Sequence, residues 1–349
     1  MIRTIATSLF PGVPYRPDGA IRLIRRRDVL GLLACSALVG RPRPTNASSV
    51  PALGYLCPET PELFASRMAA FRAGLQEAGF VEGDNVRIVY AFADGQYDQL
   101  PRLAADLVGR QVDAIVASGG AQAALAAKGA TTTKTIVFEM GGDPVQLGVV
   151  DSLSRPGGNM TGISSLSVDV SPKRLELMHD MDRDARTLAV AVNPASPTAG
   201  SQLKSMSAAA DMLDIKLHVA QAKSEKDLDL LFASLAMNAV GGLVFTSDPY
   251  FAFRSRPIAH LALKYRMPAI TQSRDFPIAG GLMSYGGDFS QSHRRAGVYA
   301  GRVLKGEQPR DLPVQLVTKV ELVINRRTAA LLGRAFPQSL VVGADDVVE

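Results

Sequence analysis

An α/β fold of two doubly wound parallel-sheet lobes joined by a three-strand hinge is predicted by three features of this sequence. Short runs that are apolar on both faces alternate with helical stretches, the pattern of strands buried in a parallel sheet between layers of helices. The alternation runs over residues 50–138 and starts again over residues 188–271. Extended segments at 162–165, 281–286 and 318–325 then read as three crossings from one lobe to the other at a common edge.

Residues 50–56 form the first predicted strand, and Phe64, Met68, Phe71 and Leu75 recur at helical spacing until Gly79 stops the helix. A strand over 86–92, a helix over 100–108, a strand over 112–117, a helix over 121–130 and a strand over 135–138 complete four βα units. In the second series the strands fall at 188–192, 216–220, 242–245 and 269–271, and the helices at 202–213, 228–237 and 258–265. The halves share a local signature: Ile136-Val137-Phe138 leads to Gly142-Asp143-Pro144, and Leu243-Val244-Phe245 leads to Ser247-Asp248-Pro249. With the crossings placed as above, lobe 1 is expected to hold residues 50–163 plus 286–318, and lobe 2 residues 164–285 plus 319–349.

At 349 residues, 47% hydrophobic and 20% charged, the chain is long enough for two domains with separate cores. A formal charge of +5 invites a nucleic-acid partner, but the excess is confined to one end. Residues 1–47 carry eight of the 38 Lys+Arg and two of the 33 Asp+Glu, leaving 30 basic against 31 acidic residues in the remainder. No basic surface for nucleic acid is therefore expected.

That basic end, residues 1–47, reads as an export signal peptide. Arg25-Arg26-Arg27-Asp28-Val29-Leu30 leads into an apolar run over 29–40, too short to span a bilayer and suited to the hydrophobic centre of a signal. The arginine pair resembles a twin-arginine signal, and Thr45-Asn46-Ala47 offers cleavage after Ala47. Leu32-Leu33-Ala34-Cys35 loosely resembles a lipoprotein box, so a lipid anchor at Cys35 is the alternative. A periplasmic location follows as an expectation. Cys57 would then be the sole cysteine, which excludes an intramolecular disulfide, and it reads as a small buried side chain.

In open parallel sheets ligands bind at the carboxyl ends of the strands, where helix N-termini present free N–H groups. Two such lobes place the site in the cleft between them. Ser118, Gly119, Gly120 and Ala121 end a strand and open a helix; their amides suit a carboxylate, while a tight turn that needs glycine accounts for the same residues. Asp143 and Asp248 stand at strand ends before proline, where a carboxylate can receive a ligand ammonium or cap the next helix. Asn193, Ser196, Ser284 and Tyr285 occupy equivalent strand ends, and Tyr285 and Phe251 offer rings for a planar ligand or for hinge packing. Chemistry beyond binding has no motif behind it. GxGxxG, GxxxxGKS/T and Gly-x-Ser-x-Gly do not occur, and His179, His218, His260 and His293 make no metal-type spacing. No cofactor, metal or enzymatic activity is expected, and His218 and His260 are assigned structural roles.

An ordered set of motifs carries a family resemblance. Phe71-Arg72-Ala73-Gly74-Leu75, Gly83-Asp84-Asn85-Val86, Tyr97-Asp98-Gln99-Leu100, Ala117-Ser118-Gly119-Gly120, Gly142-Asp143-Pro144-Val145, the run from Arg155-Pro156-Gly157-Gly158 to Thr161-Gly162, Asn193-Pro194 and the run from Gly280 to Gly286 closely resemble the ABC transporter substrate-binding family that serves tryptophan- and tyrosine-type uptake. The likeness covers almost the whole chain beyond the N-terminal segment. It implies a type I periplasmic-binding fold, a small-molecule ligand held between the lobes of a monomer, and a membrane permease with its ATPase subunit as partners. It also implies a pocket including Ser118 to Ala121, Asp143, Thr161, Asn193, Asp248 and Ser284. The sequence departs from expectation in the charge of Cys57-Pro58-Glu59-Thr60 and of Gln272-Ser273-Arg274-Asp275-Phe276. Arg274 there either favours a second acidic group on the ligand, pairs with Asp275, or faces solvent.

Three other readings share this fold class. A transcription regulator would need a helix-turn-helix where residues 1–47 show a signal. A ligand-sensing receptor feeding a kinase would continue into a membrane helix, and an enzyme would need a nucleophile, metal or cofactor cluster.

Overall fold

The computed structural model describes residues 50–238 and 240–349. The expected export segment at 1–47, with Cys35, lies outside them. Val50–Glu349 forms one compact unit built on two sheets. In the first, β1 (Ala52–Cys57), β2 (Arg87–Phe92), β3 (Ala114–Ala117), β4 (Thr135–Gly141) and β5 (Met160–Ser165) run parallel, with α1 (Pro61–Glu77), α2 (Leu100–Gly109) and α3 (Ala121–Ala130) connecting the first four. Next, α4 (Ser171–Met181) leads to the second sheet, whose strands are β6 (Thr187–Val192), β7 (Lys216–Gln221), β8 (Leu243–Phe245), β9 (Ala269–Thr271) and β10 (Met283–Gly287). Between them run α5 (Ala199–Met212), α6 (Glu225–Ala236), α7 (Pro249–Phe253), α8 (Ser255–Lys264) and α9 (Asp275–Ile278). The chain then returns to the first sheet with α10 (Phe289–Leu304) and β11 (Gln315–Val317). It finishes on the second with β12 (Val320–Asn325), α11 (Arg326–Leu331), α12 (Gln338–Gly343) and β13 (Asp346–Val348).

Strand order is β11-β5-β4-β3-β1-β2 in one sheet and β13-β12-β10-β9-β8-β6-β7 in the other. β12 runs antiparallel to β10 within an otherwise parallel second sheet. Alternate residues of each strand feed opposite faces: Leu188 and Val190 of β6 enter one core cluster, Ala189 and Ala191 another. Local signals set the helix ends. α1 starts on Thr60, whose hydroxyl accepts from the Leu63 N–H, followed by Pro61. It stops at Gly79, whose φ of 89° suits the left-handed turn that closes with Phe80 N–H on the Leu75 carbonyl.

Three of the sequence expectations are adjusted. The crossing segments prove to be strands that each pair within one sheet, with the passage just beyond them: after β5 at Ser165, after β10 at Gly287, and at Thr318-Lys319 between β11 and β12. Pairing of Gly141 with Ser165 keeps β5 in the first sheet to its last residue. Neither α4 nor α10 belongs to the predicted series. Both bury polar side chains, Arg174 in α4 and Ser292 and His293 in α10, so the apolar stripe that announces a helix is broken.

Strand order reverses beside β1 in the first sheet and beside β6 in the second, because β2 and β7 lie on the far side of them from the rest. A doubly wound sheet opens a crevice at such a switch point. The loops there are Pro58–Thr60 and Ser118–Gly120 in one lobe, and Asn193–Thr198 and Thr246–Asp248 in the other. A cavity lies among them.

Candidate functional site

A cavity open to solvent lies between the lobes. The first lobe contributes the start of α3. Gly119 and Gly120 have φ of 91° and 126°, a conformation that side chains resist. Their N–H groups donate to Glu139, at 3.3 Å to Oε2 and 3.1 Å to the backbone carbonyl. A Cβ on Gly120 would come within 2.9 Å of Pro249 in the opposite lobe, so glycine is also what lets the lobes approach. Among the described residues no side chain caps α3 at Gly120, so its first-turn N–H groups have no side-chain acceptor.

The second lobe contributes Asp248, 1% exposed at the head of α7. Its Oδ1 accepts from Asn193 Nδ2, the Tyr97 hydroxyl and the Tyr250 N–H, each at 3.0 Å. Oδ2 is buried and has no hydrogen-bond partner among the described residues. One oxygen therefore caps the helix and ties the lobes together through Tyr97, while the other remains a strong acceptor on a cavity-lining residue. Burial pushes this carboxyl up, opposed by the hydrogen bonds it accepts.

Of the residues singled out from the sequence, Gly119, Gly120, Ala121, Ser196 and Asp248 come together around the cavity. Ser118 is fully buried beneath them, and Asn193 stands behind Asp248 as its donor. The other candidates are elsewhere. Asp143 is exposed and accepts from the N–H groups of Val145 and Gln146 in an Asx-type turn that leads into no helix. Thr161 is interior to the first lobe and donates to the Leu312 carbonyl at 2.6 Å. Arg274 is not joined to Asp275; it pairs with Glu321 at 3.2 Å and Asp346 at 2.8 Å. Beside it Ser284 lines an adjoining groove that shares Arg67, Gln272 and Phe289 with the cavity. Tyr285 packs its ring on the second lobe's core and offers its carbonyl to Arg174, and Phe251 is fully buried in that lobe. Ser284 and Tyr285 stand at the strand end of β10, which lies toward the hinge side of the sheet, away from its switch point. Cys57 is free and buried. His218 and His260 lie exposed on β7 and α8.

Sequence reasoning missed Arg67, Glu139, Gln272, Phe253, Phe289 and His293, all of which line the cavity. Glu139 is 3% exposed, accepts from Ser292 Oγ at 2.7 Å, and faces His293 Nε2 at 3.2 Å. Burial pushes the His293 imidazole down, the charge of Glu139 opposing it. A glutamate inside an apolar strand and an arginine on the Phe64–Phe71 face of α1 were the available signals.

The lobes also touch directly. Arg254 Nη1 donates to Glu59 Oε2 at 3.1 Å with both groups buried, and Phe64 meets Phe253 at 5.0 Å between ring centroids. Burial lifts the Glu59 carboxyl from 4.5 up to about 7, the Arg254 charge offsetting only part of the cost. The buried state therefore binds a proton that a solvated Glu59 releases, so stability is full below the ordinary carboxylate pKa and declines as pH rises through about 7. Glu59→Gln is expected to melt with the unsubstituted chain near about pH 5 and above it near about pH 8. A pH-independent difference between the two melting curves would contradict this.

Two sheet lobes with a cavity walled by both switch points define a two-lobed α/β binding fold. Residues 59–348 match the family model for the ABC transporter substrate binding protein, and the chain belongs to that family. A tyrosine-binding protein of Clostridioides difficile is 26% identical over 275 residues, which is 78% of each chain. A conserved domain protein from Vibrio cholerae superimposes with a TM-score of 0.78 at 25% identity, over 86% of this chain and all of that one. An ABC domain in complex with L-Trp from Streptococcus pneumonia gives 0.77 at 22% identity, again over 86% of this chain and all of that one.

Proposed function

We propose that the protein is the exported receptor of an ABC importer and binds an α-amino acid, aromatic in its side chain, without changing it chemically. The observation that carries this reading is that Asp248, whose buried Oδ2 has no partner among the described residues, and the start of α3 line one cavity from opposite lobes. An acceptor for a cation in one lobe and donors for an anion in the other match a zwitterion. Phe253, Phe289 and Pro249 supply apolar wall for a ring. The tyrosine-binding relative supports the same ligand class. A ligand that touches both lobes favours their closed arrangement by its differential contacts, and a permease with its ATPase then reads closure. Such a receptor works outside the cytoplasmic membrane, in keeping with the export signal expected at residues 1–47. The test is a thermal-shift screen against amino acids, aromatic acids, nucleobases and small peptides, since a ligand of the native state raises the melting temperature by mass action. Aromatic amino acids are expected to give the largest shifts. Shifts confined to nucleobases or peptides would overturn the ligand class.

A further inference from the structure

Arg67 is the cationic side chain on the cavity wall, and it is 7% exposed. Its guanidinium lies 4.2 Å from the centroid of Phe253 and 5.0 Å from that of Phe289, one ring from each lobe. The carboxylate it approaches, Asp275 Oδ2, stays 3.9 Å away and is 59% exposed, outside hydrogen-bond distance. Of the two buried glutamates nearby, Glu139 accepts from Ser292 and Gly119, and Glu59 accepts from Arg254 through Oε2; neither accepts from Arg67 among the described residues. Among the described residues no protein group accepts a hydrogen bond from Arg67. Arginine keeps its charge even when buried. A buried guanidinium whose one carboxylate neighbour stands beyond hydrogen-bond distance is under-satisfied, and the two rings flank it where it lines the cavity.

We infer that Arg67 is a carboxylate-recognising residue of this cleft, its guanidinium flanked by the rings of Phe253 and Phe289 and its N–H groups donating to a ligand carboxylate. The geometry of a planar fork in an aromatic slot suits the two coplanar oxygens of a carboxylate. That carboxylate is either the α-carboxylate of an amino acid or a second one on its side chain. The inference rests on the cleft being the ligand site, and it adds a specificity that the Asp248 subsite alone does not provide.

The experiment compares the unsubstituted chain, Arg67→Gln and Arg67→Met by titration calorimetry with tyramine, L-tyrosine and 4-carboxy-L-phenylalanine, which carry no, one and two carboxylates. The unsubstituted protein should prefer a carboxylate-bearing compound over tyramine by on the order of 30-fold or more, and both variants should erase that preference. Loss for L-tyrosine identifies the α-carboxylate as the group held; loss for 4-carboxy-L-phenylalanine alone identifies the distal one. Equal weakening of all three compounds overturns the inference. Should none of them bind the unsubstituted chain, the amino-acid reading fails separately, and the ligand-free melting temperature decides. Arg67→Met should then melt at the same temperature or higher, because an unpaired charge has been removed from a buried slot. A fall of several degrees would mark Arg67 as a structural pillar and sink the proposal.

Discussion

Replacing Asp248 with alanine is expected to weaken ligand binding by about 100-fold, or roughly 3 kcal/mol, while lowering stability by only about 1 kcal/mol. The two effects come from different oxygens. Oδ1 caps α7 and accepts from Tyr97 and Asn193, and its loss is the ordinary loss of a helix cap. Oδ2 is the buried acceptor without a partner, and a ligand cation that has given up water to reach it has no alternative once it is gone. Asp248→Asn separates the two further, since an amide oxygen can still cap α7 but carries no charge. It should retain most of the stability and still bind a cationic ligand weakly. Calorimetric affinities and chemical denaturation on the same preparations check both halves. Affinity unchanged in Asp248→Ala would remove Asp248 from the site.

The largest effect on stability is expected at Gly297, where leucine should destabilise the protein by at least about 3 kcal/mol. A Cβ at Gly297 would lie 2.1 Å from the Phe71 carbonyl oxygen and 2.7 Å from the Leu75 nitrogen, and a Cβ at Gly74 would lie 1.8 Å from the Arg294 carbonyl oxygen. The backbones of α1 and α10 are therefore in direct contact, and a side chain at either glycine must wedge them apart. Backbone cannot rotate away as a flexible side chain would. The same two helices carry Arg67, Phe289 and His293, so ligand affinity should fall together with stability. Gly129 is the control: it lies in α3 with nothing within 4 Å of its would-be Cβ, and Gly129→Ala should stabilise by about 0.5–1 kcal/mol. Urea denaturation midpoints compare the three proteins. Equal midpoints for Gly297→Leu and the unsubstituted chain would show that the helices are free to separate.

The lobe contact and the ligand site share elements in a way that bears on both results. Tyr97 reaches Asp248, Arg254 reaches Glu59, and Phe253 reaches both Phe64 and Arg67, so the residues that bring the lobes together surround those facing the cavity. Closure and binding are thus expected to be energetically coupled. Tyr97→Phe tests the coupling from the first lobe. Losing one hydrogen bond to Asp248 should weaken binding by about 3- to 10-fold, although Tyr97 belongs to the lobe opposite the aspartate. An unchanged affinity would separate the lobe contact from the site.

The sequence by itself determined the two-sheet plan and part of the site. Runs such as Ala114–Ala117 and Leu243–Phe245 are apolar on both faces, which is stable only inside a parallel sheet, and Gly119-Gly120 and Asp248-Pro249 mark strand ends by local backbone chemistry alone. Short-range physics was enough there. It did not separate Asp248 from Asp143, because both head the same kind of turn, and the difference lies in which strand stands at the switch point. Nor did it reveal Arg67, Glu139 and His293. Charged and polar residues in a linear sequence read as solvent-facing, and these three come to line one cavity only when α10, more than 200 positions beyond α1, returns to pack on it and α7 of the other lobe packs against them. Burial of a charge is a property of what surrounds it, so the tertiary structure alone decided the electrostatics of the cleft.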